Sequence, residues 1–162
     1  MPDQDLLSTY LRDHFAGATG GLELAKRIAQ QLPEPAMDEI AAEIESDRDT
    51  LRDVMSALDV SPSTLKVGMG WVGERVGRLK LNQRVLGRSP LSDVLELEGL
   101  IIGISGKLQL WRALALIAPT EARLERFDFE RLAQQAEEQR RRLEDLHARA
   151  VGKGLDEGGG SA

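Results

Sequence analysis

Apolar residues near the start of the chain recur at intervals of three and four. Leu7, Leu11, His14, Ala18, Gly21, Ala25, Ile28 and Leu32 trace one helical stripe, while Ser8, Arg12, Ala16, Thr19, Glu23, Lys26 and Gln30 take the opposite face. The phase passes unbroken through Gly17, Gly20 and Gly21, although each glycine costs roughly 1 kcal/mol in a helix interior. This pattern predicts one long helix over residues 3–32, stopped by Pro33-Glu34-Pro35. Met37, Ile40, Ile44, Leu51, Val54 or Met55, and Leu58 predict a second helix over 35–58. So short a connection makes the two antiparallel neighbours.

Ser61-Pro62-Ser63 opens a third segment, with Ser61 as N-cap and Pro62 at the first helical position. Leu65, Met69, Val72, Val76 and Leu79 keep helical spacing there, diluted by Gly68, Gly70, Gly73 and Gly77. Ser89-Pro90 repeats the start signal before a strongly apolar helix over 90–118, which Pro119 ends. Leu124, Leu132, Ala136, Leu143, Leu146 and Ala150 predict a last helix over 120–150. The expected organisation is a single helical domain over 1–151 and a disordered Gly-rich tail over 152–162. Two helical hairpins joined by a long, partly helical crossover have the connectivity of a ferritin-like four-helix bundle. The fold class expected is therefore all-α with that topology.

Composition narrows the picture without changing it. A chain of 162 residues fits one domain with a normal core. Its net charge of −6 is spread along the sequence, which favours solubility and argues against nucleic acid as a partner. The basic run Arg140-Arg141-Arg142 lies among Glu137, Glu138, Glu144 and Asp145 and reads as a solvated helix face. With no cysteine there is neither a disulfide nor a thiolate site. The acidic start carries no apolar signal core, so a cytoplasmic location is expected. Glu96, Glu98, Lys107 and Arg112 interrupt the apolar stretch from Val94 to Ala118. Its longest uncharged central run, Gly99 to Gly106, falls well short of the ~20 residues of a membrane span, so a buried helix is expected.

Three blocks stand out: Tyr10-Leu11-Arg12-Asp13-His14 with Ala16-Gly17-Ala18-Thr19-Gly20-Gly21; Gly77-Arg78-Leu79-Lys80-Leu81-Asn82; and Leu95-Glu96-Leu97-Glu98-Gly99-Leu100 with Gly106-Lys107 and Leu110-Trp111-Arg112. Through them the chain resembles a family of bacterial helical proteins without an established activity, and more broadly the ferritin-like bundles. The broader resemblance implies iron or manganese chemistry. Such bundles place a Glu on each of two helices and a Glu-x-x-His on each of the other two, a spacing that puts both ligands on one helix face. One match exists, Glu144-Asp145-Leu146-His147, with Glu96 as the carboxylate from a neighbouring helix. The second helix offers Glu39, Glu43, Glu45, Asp47 and Asp49 but no histidine, and His147 stands close to the end of its helix. The pattern is thus incomplete, with Glu39, Glu43 and Glu96 as an all-carboxylate alternative. The residues by themselves call for no cofactor.

The second candidate is a buried polar pocket of Asp13, His14, Asp47 and Lys107. His14 falls on the apolar stripe ahead of Ala18 and Gly21, where a neighbouring helix approaches closely or a small cavity opens. Lys107 falls on the apolar face of its helix near Leu100, Leu108 and Trp111, while Asp47 and Arg48 flank the stripe of the second helix. A buried charge needs a partner, and helix heights make Asp13 the expected partner of Lys107. The series Gly99, Gly103 and Gly106 is expected to permit close helix packing. Gly68-Met69-Gly70-Trp71-Val72-Gly73 matches the dinucleotide fingerprint G-x-G-x-x-G, but no strand precedes it, so nucleotide binding is not expected. Only two histidines occur, and no serine sits in a nucleophile turn. The leading functional expectation is a non-catalytic protein acting through a protein partner or a second copy of itself. A metal-carboxylate protein and a small-molecule binder centred on His14, Asp47 and Lys107 are the alternatives.

Overall fold

The computed structural model describes residues 2–62 and 89–155, and the expected helical crossover over 63–88, with its glycine motif, lies outside them. The described residues are all-helical. They form α1 (Gln4–Gln31), α2 (Pro35–Ala57), α3 (Pro90–Ile117) and α4 (Phe129–Leu155), with short 3-10 turns at Ala118–Thr120 and Ala122–Leu124.

Local chemistry sets the ends. The Asp3 carboxylate accepts from the N–H groups of Asp5 at 3.0 Å and Leu6 at 3.1 Å, satisfying two donors that the first turn of α1 leaves open. At the close of α2, Asp59 takes φ 59°, and the Val60 N–H reaches back to the Met55 carbonyl at 2.8 Å. That is the left-handed closure usually given to glycine. Ser92 Oγ accepts from the Ser89 N–H at 3.2 Å, which anchors the start of α3 where Ser89-Pro90 predicted it.

The last helix departs from expectation at both ends. It begins at Phe129 rather than residue 120, because residues 120–128 fold over the end of the core as tight turns and bury Leu124 and Phe129. Asp128 then starts the helix, its carboxylate accepting from the Arg131 N–H at 2.9 Å. The helix continues to Leu155, so residues 152–155, expected in the tail, are helical despite Gly152 and Gly154.

α1 packs against both α2 and α3, and α3 packs along α4. The interior divides into two apolar halves. One gathers Leu11, Leu51, Met55, Leu108, Trp111, Leu114 and Leu132; the other gathers Ala25, Ile28, Ile40, Ile44, Leu97, Leu100 and Leu143. Between them each of α2, α3 and α4 contributes one polar residue, flanked by core apolar positions on its own helix: Asp47 between Ile44 and Leu51, Lys107 between Ile104 and Leu108, and Gln139 between Ala136 and Leu143.

By length and composition alone, the helical stretch Leu91–Thr120 meets what a membrane crossing needs, and 33% of its most apolar window is buried. On that stretch Leu97, Leu100, Leu108, Trp111 and Leu114 are buried.

Candidate functional site

The fourth side of the polar layer belongs to α1, and apart from the half-buried His14 at one end α1 puts no large side chain there. Its buried residues are Leu7 and Leu11, then Leu22 onward, with Gly17, Gly20 and Gly21 in the gap. A register follows from two contacts. Arg27 Nη2 lies 3.2 Å from Glu96 Oε1, and a methyl on Gly99 would stand 3.5 Å from Leu24 Cδ2. Since 99 lies beyond 96 while 24 lies before 27, α3 runs antiparallel to α1. Counting along both helices brings Gly103 level with Gly20 and Lys107 level with Ala16, next to Gly17.

Two glycine-bearing faces therefore oppose one another across the middle of the molecule, and they do not close. A cleft of about 450 Å³ runs between α1 and α3, floored by Ile44, Asp47, Arg48 and Leu51 of α2. A Cβ added at Gly17, Gly20, Gly21, Gly103 or Gly106 would meet no atom of the described residues within 4 Å. The close helix packing expected of Gly103 and Gly106 is not seen among the described residues, where both border the cleft. Only Gly99 approaches a neighbour, at ordinary contact distance.

The cleft has unlike ends. Leu24, Ile44, Leu95 and Leu100 line the end near Glu96, whereas His14, Arg48, Lys107 and Trp111 line the other. Lys107 Nζ donates to Asp47 Oδ2 and to Gln139 Oε1, and Gln139 Nε2 donates to Asp47 Oδ2 at 3.1 Å. Asp47 is 4% exposed and Lys107 12%, so both charges leave bulk water and depend on one another. Burial lowers the Lys107 pKa from its ordinary value, and the carboxylates of Asp47 and Glu43 oppose that shift. The Lys107 partner is accordingly Asp47, not Asp13. Asp13 is exposed on the rim, because Lys107 reaches across the core to α2 rather than outward past the glycines.

His14 lines the same end, half-buried, with its ring edge-on to Tyr10 at 4.5 Å between centroids. Burial lowers its pKa below 6.5 against the nearby Asp13 carboxylate, so the imidazole is neutral at pH 7. Two buried donors lack acceptors among the described residues, Arg48 Nε and the indole Nε1 of the fully buried Trp111. Arg48 spends Nη2 on Asp49 at 3.1 Å, and Arg52 shares that same carboxylate.

The residues named for a metal are placed elsewhere and do not assemble. Glu96 is fully buried and faces Arg27 of α1. Glu144 is exposed and pairs with Arg140 at 3.0 Å, one turn away on its own helix. His147 Nε2 lies 3.1 Å from Glu98 Oε1. Glu39 and Glu43 face Arg142. No three His, Asp or Glu side chains among the described residues form a group able to hold a metal ion, so this donor set does not fit a carboxylate-bridged iron or manganese pair.

Of the candidate polar pocket, the structure brings His14, Asp47 and Lys107 to one cleft and leaves Asp13 on its edge. Gln139 and Arg48 complete the site. Gln139 was visible as the polar position between Ala136 and Leu143 on the buried stripe of the last helix. No family model, curated protein or solved structure matches the chain.

Proposed function

We propose that this protein binds a small, largely apolar molecule in the cleft between α1 and α3. The observation that carries this reading is an open volume of about 450 Å³ at the middle of the fold, walled by glycines that touch nothing across it among the described residues. Ligand sites commonly occupy about 300–1,000 Å³, mostly apolar with a few placed polar groups, and the lining here has that composition. Each of these glycines lowers helix stability, so a gap built from them has a cost that ligand contacts would offset. The reading extends to the connectivity: two helical hairpins joined through residues 58–90 suit a ferritin-like arrangement in which the interior holds a ligand instead of a metal pair. Of the three functions weighed from sequence, small-molecule binding gains the support of this cleft.

Titration with a neutral solvatochromic dye such as Nile red tests it. Saturable binding with a blue-shifted emission is expected, and it should be lost in the doubly filled variant Gly20→Leu/Gly103→Leu with helical content retained. Equal dye binding by the filled variant, or no saturable binding by the native chain, would overturn the reading.

A further inference from the structure

The unlike ends of the cleft define more than a volume. We infer that the ligand is an amphipathic carboxylate, its head at Lys107 and Arg48 and its chain lying along the glycines toward Leu24 and Leu95. This assignment rests on the small-molecule reading above.

The polar end has donors to spare. An ammonium carries three N–H bonds, and Lys107 commits two of them, to Asp47 and Gln139. Arg48 also lines this end, and its Nη2 donates to Asp49. Arg48 follows Asp47 on the facing helix, so the two cations Lys107 and Arg48 border the same end of the cleft. A group offering acceptors only, with two oxygens, suits this end better than a hydroxyl or an amine.

Charge points the same way. The Asp47 carboxylate answers Lys107, while Arg48 and Arg52 share the single carboxylate of Asp49. The acids that also line it, Asp13 and Glu98, are exposed, and Glu98 is engaged by His147. A head seated at Lys107 lies deeper than either. His14, neutral at pH 7, opposes neither a carboxylate nor its chain.

The opposite end supplies the tail's surroundings. From Lys107 to Leu95 the cleft follows α3 for about 18 Å at ~1.5 Å per residue, past Gly103 and Gly99 to leucine side chains. An extended acyl chain fills such a slot, and each added methylene should tighten binding about fourfold until the slot is full.

Calorimetric titration of the native chain with octanoate, decanoate and dodecanoate, beside the matching alcohols and alkylamines, tests the assignment. The acids are expected to bind at least about tenfold more tightly than the alcohols, since a hydrogen-bonded charge is worth that much or more. Arg48→Met should collapse this ratio toward one, and Arg48→Lys should restore part of it. Because Arg48 is not a partner of the buried Lys107–Asp47 pair, both variants are expected to fold, which circular dichroism would verify. Acids and alcohols binding equally, amines binding best, or an Arg48→Met ratio equal to the native one would overturn the carboxylate assignment while dye binding still upheld the cleft. Failure of the dye together with every chain would overturn both.

Discussion

Lys107 of α3 and Asp47 of α2 meet at the height where α1 turns Gly17, Ala18 and the half-buried His14 toward the cleft. The pair is nearly dry on three sides and borders a cleft on the fourth.

Breaking that pair from one side should be costly. Lys107→Met leaves the Asp47 carboxylate buried with only Gln139 to answer it, and a loss of about 3–5 kcal/mol in unfolding free energy is expected. Removing both charges in Lys107→Met/Asp47→Leu should cost far less than the sum of the single changes. Urea denaturation of the four proteins in this cycle measures the coupling. Additive losses would show that the two side chains do not depend on one another.

The glycines make an opposite prediction. Gly20→Ala and Gly103→Ala each add a methyl that meets nothing among the described residues, so each should stabilise the chain by up to about 1 kcal/mol through helix propensity alone. Glycines serving close helix contact would instead lose stability on the same change. Denaturation midpoints at unchanged m-value separate the two outcomes.

His14 gives a pH dependence of known sign. Its folded pKa lies below 6.5, the unfolded value, so the unfolded chain takes up the proton first. The His14 contribution should be flat above about pH 6.5 and should fall as acid is added, until the folded state also protonates. His14→Gln should remove that part of the profile. A histidine ring titrating at or above 6.5 in the folded protein, read by NMR, would refute the burial argument.

Glu121 acts in a lower window. The Arg123 guanidinium grips its carboxylate, Nε at 2.8 Å and Nη2 at 2.7 Å, and holds the pKa down at about 2 against an ordinary 4.5. Here the folded state keeps the charge longer than the unfolded one. The stabilisation is present above pH 4.5 and is lost as pH falls toward about 2. Glu121→Gln should lower stability at neutral pH and flatten the profile through that window.

Periodicity carried most of the helices because one polar slip in a stripe of three and four residues is visible against the rest. α1, α2 and α3 begin and end within a residue or so of where the proline signals and N-caps predict. The start of α4 was hidden because Leu124, Leu132 and Ala136 satisfy helical spacing whether or not residues 120–128 are helical; the turn chemistry of Glu121 and Asp128 decided it. Lys107 and Asp47 announced themselves as charges on apolar faces. Their pairing did not, since helix heights alone cannot say which way a long side chain crosses the core. Glycine spacing was ambiguous for a related reason: a residue without a side chain permits a close contact and an empty space equally, and only the neighbour's position distinguishes them.

The polar layer also acts as a detent between two greasy halves. Leucine and isoleucine on facing helices would tolerate sliding by a turn, because one aliphatic contact replaces another at little cost. Moving α3 by one turn, about 5.4 Å, would carry the Lys107 ammonium away from Asp47 and set it against Ile44 or Leu51. A lone polar position of this kind fixes register at some expense in stability. Asp47, Lys107 and Gln139 therefore hold the helices at the one height where the bare stretch of α1 faces them.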